Sequence, residues 1–553
     1  MKKTLLGFLF LFGLQVNAQY TFEQIDIWSG SNGSSPKYIT EFNGELYFQA
    51  FEITPSFKKL YKSDGTDAGT QIIASNLNSG AGYSPESLYV MNGELYFTAF
   101  VSGVGTELYK TDGTDAGTIL LKDIRAGSSS GLDFNSNDDN QLFVEYNGEL
   151  YFRGSTNSSI ELWKTDGTPT GTVSVKNFED ATNGAPSFIS TSGKSILGTV
   201  YNGLLYFYVN RGGNGELWKT DGTTANTELV RSSLKNIAEM MVFNNELYFV
   251  SGDDTFTEGR ELWVSDGTFA GTTIKHDIFP NNLNPAFGFG SSPSDLTVFN
   301  NELYFKARSY SGTSGQIIGS ELWKTNGTTA NLVKDIDTDN LASGLNMPNF
   351  TIYNNELYFA ASDNTTSDFE LWKTDGTESG TVKAVSSTDT GESIDFSKAI
   401  NYANKLFYFD SQQLWVTDGT PAGTEVLTGN SEEILLISTF SLIEFQNKIW
   451  FSGTKSGNGN ELTSLQDASV LSSTDFKVET MSMYPNPASN TIQFSGIRNR
   501  LQYRIYNTLG NLIAQGSIDN SQKSIDISMI TSGMYLVEVT ANTQSKTFKL
   551  LKN

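Results

Sequence analysis

Carboxylates recurring at fixed spacing are the first residues in this chain that suggest chemistry. Eight copies of a Thr/Ser-Asp-Gly-Thr turn carry Asp64, Asp112, Asp166, Asp221, Asp266, Asp375 and Asp418, with Asn326 in the remaining copy. Oxygen ligands suit calcium, so one reading is a necklace of calcium sites. The other is a structural turn in which Asp bonds nearby backbone N–H groups and Gly supplies a positive φ. The second is favoured, because Asn326 fills the position without charge and no copy has the dense acidic spacing of a calcium loop. No cofactor is expected; calcium is the one ion left open.

A second group sits in long segments that differ from one another. Asp138, Asp139, Asp253, Asp254, Glu258 and Arg260 have the chemistry to hold a cation or a sugar, and Phe287, Phe289 and Tyr310 could stack on a sugar ring. The plainer alternative for all nine is solvated loop charge and minor packing. Paired carboxylates for glycoside hydrolysis are defined by their separation in space, which spacing along the chain does not give. There is no cysteine, which removes thiol chemistry, and a single histidine, His276, which removes Ser-His-Asp triads and metal sites needing several imidazoles. His276 reads as a strand side chain in TTIKHDIF. With no nucleophile elbow, zinc motif or phosphate loop, no catalytic residue is assigned.

The elements that must position these groups come from repetition. One half of the repeat reads NGELYF or a variant and occurs nine times, from Asn43 to Gln446. The other half reads ELYKTDGTDAGT at Glu107, ELWKTDGTPTGT at Glu161, ELWVSDGTFAGT at Glu261, ELWKTDGTESGT at Glu370 and QLWVTDGTPAGT at Gln413, with related copies at Lys59, Glu216 and Glu321. Asn-Gly between alternating apolar residues is a strong hairpin signal, since a type I′ turn needs positive φ at both central positions. Both faces of these strands carry bulk, which predicts sheets packed between like sheets. A strand before the turn, one after it, the ELWKT strand and a short fourth such as ILLKDI make four per unit.

Four antiparallel strands in a unit of this length resemble a β-propeller blade, although the signatures of the kelch and WD families are absent. The repeats are similar to those of a family of secreted bacterial proteins built from ELWKTDGTxxGT, whose activities are mostly unassigned. The resemblance implies an all-β propeller over residues 19–466, and counting the hairpins gives about eight to nine four-stranded blades. The last unit stops at ELTSLQ without a fourth strand, and the segment after residue 19 resembles a fourth strand plus crossover; pairing the two closes the ring. In such a meander the first and third turns, which are monotonous, lie at one end of the strands. The second turn and the crossover, dissimilar in every unit, lie at the other, where recognition is expected.

Residues 1–18 carry Lys2 and Lys3, an apolar stretch and Val16-Asn17-Ala18, the pattern of a secretory signal peptide. No transmembrane segment is found beyond it. Residues 467–483, rich in Ser, Asp and Thr, read as a linker. From 484 to 553, Tyr484, Pro485, Asn486, Pro487, Gly510, Gly533 and the basic end at Lys549 and Lys552 resemble, in order and spacing, the C-terminal sorting domain of the type IX (Por) secretion system. The resemblance implies a small seven-stranded, Ig-like β-sandwich with the type IX machinery as partner, and export through the periplasm to the surface or the medium. The formal net charge of −24 repels phosphate backbones, so nucleic acid is not expected as a partner. Two functions remain open: a non-enzymatic protein that binds an extracellular polymer, a polysaccharide or a surface protein, and an extracellular polysaccharide hydrolase or lyase with acidic residues in the funnel.

Overall fold

The computed structural model describes residues 19–553 apart from 53, 78–82, 133–141, 157–158, 179–185, 188–197, 212–213, 254–258, 280–289, 311–316, 339–342, 346–348, 365–367, 387–395, 397, 411–412, 428–435, 456, 468–481, 496–500, 508–511, 519–522 and 542–543. The described residues are almost wholly β, with two 3-10 turns and no α-helix. The chain divides into two compact units, Met1–Gln466 and Asp467–Asn553.

The second repeat shows how sequence becomes sheet. Strands Glu86–Met91, Glu94–Val101, Gly105–Thr111 and Ile119–Lys122 pair in chain order, all antiparallel. The first turn is Asn92-Gly93 with φ of 51° and 75°, the geometry a type I′ hairpin requires. Phe97 stands opposite Tyr109 across the middle pair, their rings stacked at 5.9 Å; Phe249 and Trp263 repeat the arrangement at 6.2 Å. Such a pair adds about 0.5–1.5 kcal/mol beyond its area burial. The expectation that both strand faces are covered holds: Leu95, Tyr96 and Phe97 are each 1% exposed or less.

Burial on both faces comes from neighbouring repeats. Phe42, Tyr47, Leu60 and Ile73 form one apolar cluster with Leu95, Phe97, Ala99 and Tyr109 of the next repeat. The Tyr of each NGELYF reaches the turn glycine of the repeat that follows. A Cβ placed on Gly113 would collide with the Tyr47 hydroxyl, and the same approach recurs at Gly167 with Tyr96, Gly222 with Tyr151 and Gly419 with Tyr358. The turn glycine is therefore fixed twice, by a φ of +94° at Gly113 and by the hydroxyl against it.

Two units depart from the pattern. Between the fourth and fifth, where a short strand and a loop were expected, one strand runs Glu228–Phe243 and joins both units in an eight-stranded sheet. It bends through register shifts, and Ser233, Asn236 and Glu239 take left-handed backbone conformations with φ of 63°, 50° and 54°. At the other irregular unit, Leu436–Phe445, Lys448–Lys455 and Gly459–Asp467 are joined by Tyr20–Ile25 as the fourth strand of their sheet. Ile25, Leu46, Phe48 and Tyr61 pack with Phe445, Trp450 and Leu462 in one cluster, and the Trp450 ring lies where a Cβ on Gly65 would meet it at 3.2 Å.

Among the described residues of the C-terminal unit, seven strands form two sheets. One holds Ser482–Tyr484, Thr491–Ser495 and Ser524–Asp526; the other, in spatial order, holds Leu512–Ile518, Leu501–Asn507, Gly533–Ala541 and Gln544–Lys552. Its own core includes Ile492, Phe494, Ile505, Val537 and Leu550, each fully buried.

Candidate functional site

The ELWKTDGT segment carries a carboxylate at each end of one strand, and the two ends meet different fates. At the end, Asp112 Oδ1 accepts from the Thr114 backbone N–H (2.9 Å) and hydroxyl (2.7 Å). Gly117 N donates to Thr114 Oγ1 at 3.0 Å, and Thr118 Oγ1 lies 2.7 Å from Thr114 O and 2.8 Å from Thr111 Oγ1. The turn wraps its own Asp so closely that a Cβ on Gly117 would run into Asp112 Oδ1. Asp64, Asp166, Asp221, Asp266, Asp375 and Asp418 make the same bonds to the Thr two residues on. Asn326 accepts from Thr328 N at 2.8 Å and Thr329 N at 3.0 Å. Hydroxyl and backbone donors hold Asp64, Asp112, Asp166 and Asp266 below the usual carboxylate range, the same donors do so at Asp375, and at Asp221 the Asn226 side-chain amide leads, followed by the Thr223 donors. Among the described residues no three His, Cys, Asp or Glu come together to hold a metal ion. His276 lies in strand Thr273–His276 with Nε2 2.9 Å from Thr325 Oγ1, and burial lowers its pKa.

At the start of the strand the Glu is buried and looks outward from its own unit. Glu107 is 0% exposed and accepts from Ile124 N (3.1 Å), Arg125 N (3.4 Å) and Gly131 N (2.8 Å). Ile124 and Arg125 open the connection to the third unit, and Gly131 lies further along it. Glu261 does the same with Ile278 N (3.1 Å), Ser291 N (2.7 Å) and the Ser291 hydroxyl, and Glu321 with Ile336 N (2.9 Å) and Gly344 N (2.7 Å). Glu461 accepts from Ile27 N (3.3 Å), Trp28 N (3.2 Å), Ser34 N (2.9 Å) and the Ser34 hydroxyl, so the last unit grips the connection leading from the first strand. Burial pushes Glu107, Glu261 and Glu461 up to about 7 and Glu321 to about 8, against the pull of the N–H donors. Glu161 and Glu370 are also buried and accept from Ser159 Oγ (2.5 Å) and Ser386 Oγ (2.7 Å).

The exceptions follow the connections. In the first unit Lys59 replaces the Glu and pairs with Glu52 at 2.5 Å. There Tyr83 takes over, accepting from Leu60 N at 3.1 Å and donating to Ile73 O at 2.5 Å. In the fourth unit, which has a continuous strand in place of a connection, Glu216 instead accepts from Trp218 Nε1 at 2.9 Å. Sequence reasoning passed over these glutamates because they read as ordinary strand residues. The available signal was a charged residue repeated inside an otherwise apolar, two-sided strand.

Of the residues proposed for ligand contact, Asp253 and Arg260 fall among the described residues with their side chains, and they flank the connection 254–258. Asp253 ends strand Glu246–Asp253 and Arg260, opposite Gly252, opens strand Arg260–Ser265. Both are half-buried. The main chain of Arg260 is packed against the next connection, donated to by Ser292 N at 2.9 Å and approached by Gly290. Burial lowers the Arg260 pKa while Glu239 opposes the shift. Tyr310 ends strand Glu302–Tyr310, and its side chain lies outside the described residues, as do Asp138, Asp139, Asp254, Glu258, Phe287, Phe289, Gly510 and the leader 1–18.

In the C-terminal unit the Tyr484-Pro485-Asn486-Pro487 segment fastens the last strand. Asn486 Nδ2 donates to Lys549 O (2.7 Å) and Leu551 N donates to Asn486 Oδ1 (2.8 Å). Ala488 N bonds Leu551 O and Asn553 N bonds Ala488 O, both at 2.9 Å. Gly533 opens the strand beside it, Lys549 is exposed and Lys552 is largely buried.

Among solved structures the chain is similar to oligopeptidase B from Trypanosoma brucei (12% identity, 83% of this chain and 56% of that one, TM-score 0.35). It is also similar to oligopeptidase B from Leishmania major (8%, 94% and 54%, TM-score 0.34) and prolyl oligopeptidase B from Galerina marginata (11%, 70% and 56%, TM-score 0.33). The chain thus spans little more than half the length of these peptidases, and likenesses this distant say nothing of its activity. No curated protein matches the sequence. Residues 482–553 match the family described as the secretion system C-terminal sorting domain, so the chain carries such a domain, which indicates export through the type IX system to the cell surface or outside.

Proposed function

We propose that residues 19–466 form a closed propeller of nine blades, and that its dissimilar connections bind an extracellular polymer, a polysaccharide or a surface protein. Closure is supported by the first strand completing the last sheet and by the apolar cluster shared between the first and last units. The binding role rests on one observation above the others: buried glutamates hold main-chain N–H groups at two places in each of the connections after the second, fifth, sixth and last units, while the sequences of those connections differ. Dissimilar connections carried on a repeated frame are how recognition surfaces vary on a constant scaffold. Asp253 and Arg260 flank residues 254–258, the turn between two paired strands of the fifth unit. Calcium has no role in this reading, since each turn carboxylate already has its donors.

The test is a glycan array and a panel of surface proteins probed with the purified chain, followed by replacement of residues 254–258 and 279–290 with short uniform turns. Binding that disappears while the melting temperature holds supports the reading; binding that survives the replacement overturns it. Incubation with a polysaccharide panel distinguishes the hydrolase or lyase alternative, which predicts new reducing ends or unsaturated products.

A further inference from the structure

The four-stranded sheet of the C-terminal unit has two unlike faces. Its inner face gives Leu501, Ile505, Val537, Val539 and Leu550 to the core, each fully buried. Its outer face is split. Toward one end Arg504 stands opposite Glu538, 4.0 Å away, and Glu538 opposite Thr547. Toward the other end Met534 stands opposite Leu551, Leu536 lies between Tyr506 and Lys549, and Leu512 neighbours Tyr506 on the far side. Leu512, Met534, Leu536 and Leu551 are 44–48% exposed, so an apolar strip crosses all four strands. Exposed aliphatics scattered singly need no explanation, but a contiguous strip on so small a unit marks an interaction surface.

The edge beside this strip is already occupied. Asn486 and Ala488 take the main-chain groups of residues 549, 551 and 553, so that stretch of the edge is not offered for strand pairing, whereas the side-chain face beside it is. We propose that the strip, with Lys549 beside it, is the surface through which the export machinery reads the tail, and that Asn486 is the positioning residue that holds Lys549 and Leu551 in register. This rests on the sorting reading above. The partner surface it fits is apolar with a carboxylate facing Lys549.

The experiment follows the full-length protein in a bacterium with an active type IX system, comparing the exported fraction with that retained in the periplasm. Leu536→Asn with Leu551→Asn is expected to cut export about ten-fold, the size of effect typical of a few central interface residues, with protease resistance of the tail unchanged. Lys549→Glu, which leaves the apolar residues in place, is expected to lower export about three-fold. Asn486→Ala is expected to lower export and to speed amide exchange at residues 549–551, with Asn486→Asp, which keeps only the acceptor, falling between. Normal export of either the folded double variant or Lys549→Glu overturns the strip. Deleting residues 482–553 separates the two ideas: unchanged export sinks the sorting reading itself, whereas export lost on deletion but normal in the variants sinks the strip alone.

Discussion

Glu107, within a strand, and Asp112, in the turn that follows it, lie five residues apart, carry the same functional group and are repeated together, yet they behave as opposites. Asp112 sits in an exposed turn where the hydroxyl and N–H of Thr114 favour its charge, so its pKa falls. Glu107 is fully buried, and its pKa rises to about 7 even though three backbone N–H groups point at it. The difference teaches that desolvation outweighs hydrogen bonding once water is removed entirely, and that local donors win while water remains. It also separates two jobs: Asp closes a turn within its own unit, and Glu joins one unit to the next.

The comparison is broken most severely at Glu461, which serves four donors from the connection after the first strand. Glu461→Ala should cost roughly 3–5 kcal/mol, because several buried donors lose their acceptor at once; denaturant unfolding that shows a loss under about 1 kcal/mol would rule out the clamp. Gly117→Ala comes next. Its methyl group would collide with Asp112 Oδ1, with an expected loss of about 1–3 kcal/mol. Pairing it with Asp112→Ala should recover part of that loss, and strict additivity of the two would show that the collision is not the cause.

A pH series sharpens the contrast. Glu107 has a folded-state pKa of about 7 against an ordinary 4.5, so its folded form binds the proton more tightly. The stability this contributes is full below pH 4.5 and is lost as pH rises through 7. Glu107→Gln should therefore lose less stability than the parent protein across that window, by about 1–2 kcal/mol; parallel melting curves would contradict the shift. The lowered Asp112 contributes in the other direction, being present above its ordinary pKa and lost as pH falls, and Asp112→Ala should cost at most about 1 kcal/mol. Smallest of all, a calcium chelator should leave the melting temperature unchanged. A clear drop would return the turns to the calcium reading.

Much of the fold was legible along the chain because its signals are local. Asn92-Gly93 announces a hairpin whatever surrounds it, and Leu95, Tyr96 and Phe97 announce a strand covered on both faces. The turn role of Asp112 was legible for the same reason, since its partner Thr114 is two residues away. Glu107 was not, because its donors at Ile124, Arg125 and Gly131 lie 17 to 24 residues further on. Glu461 is more extreme, 427 residues from Ser34. The long strand Glu228–Phe243 was missed because its bends depend on left-handed conformations at Ser233 and Glu239, residue types that give no such warning, as well as at Asn236.

The sequence by itself determined the all-β character, the repeating hairpins, the turn chemistry of the Asp-Gly-Thr segments and the likeness of the tail to a sorting domain. Each depends on neighbours within a few residues or on a texture that repeats. Only the tertiary structure decided that the strand-initial glutamates are buried clamps and that Asn486 fastens the final strand; that the first strand completes the last sheet was already expected from a last unit lacking its fourth strand. Those outcomes join residues far apart in the chain, and the free energy of a buried carboxylate or a paired strand is set by what surrounds it in space.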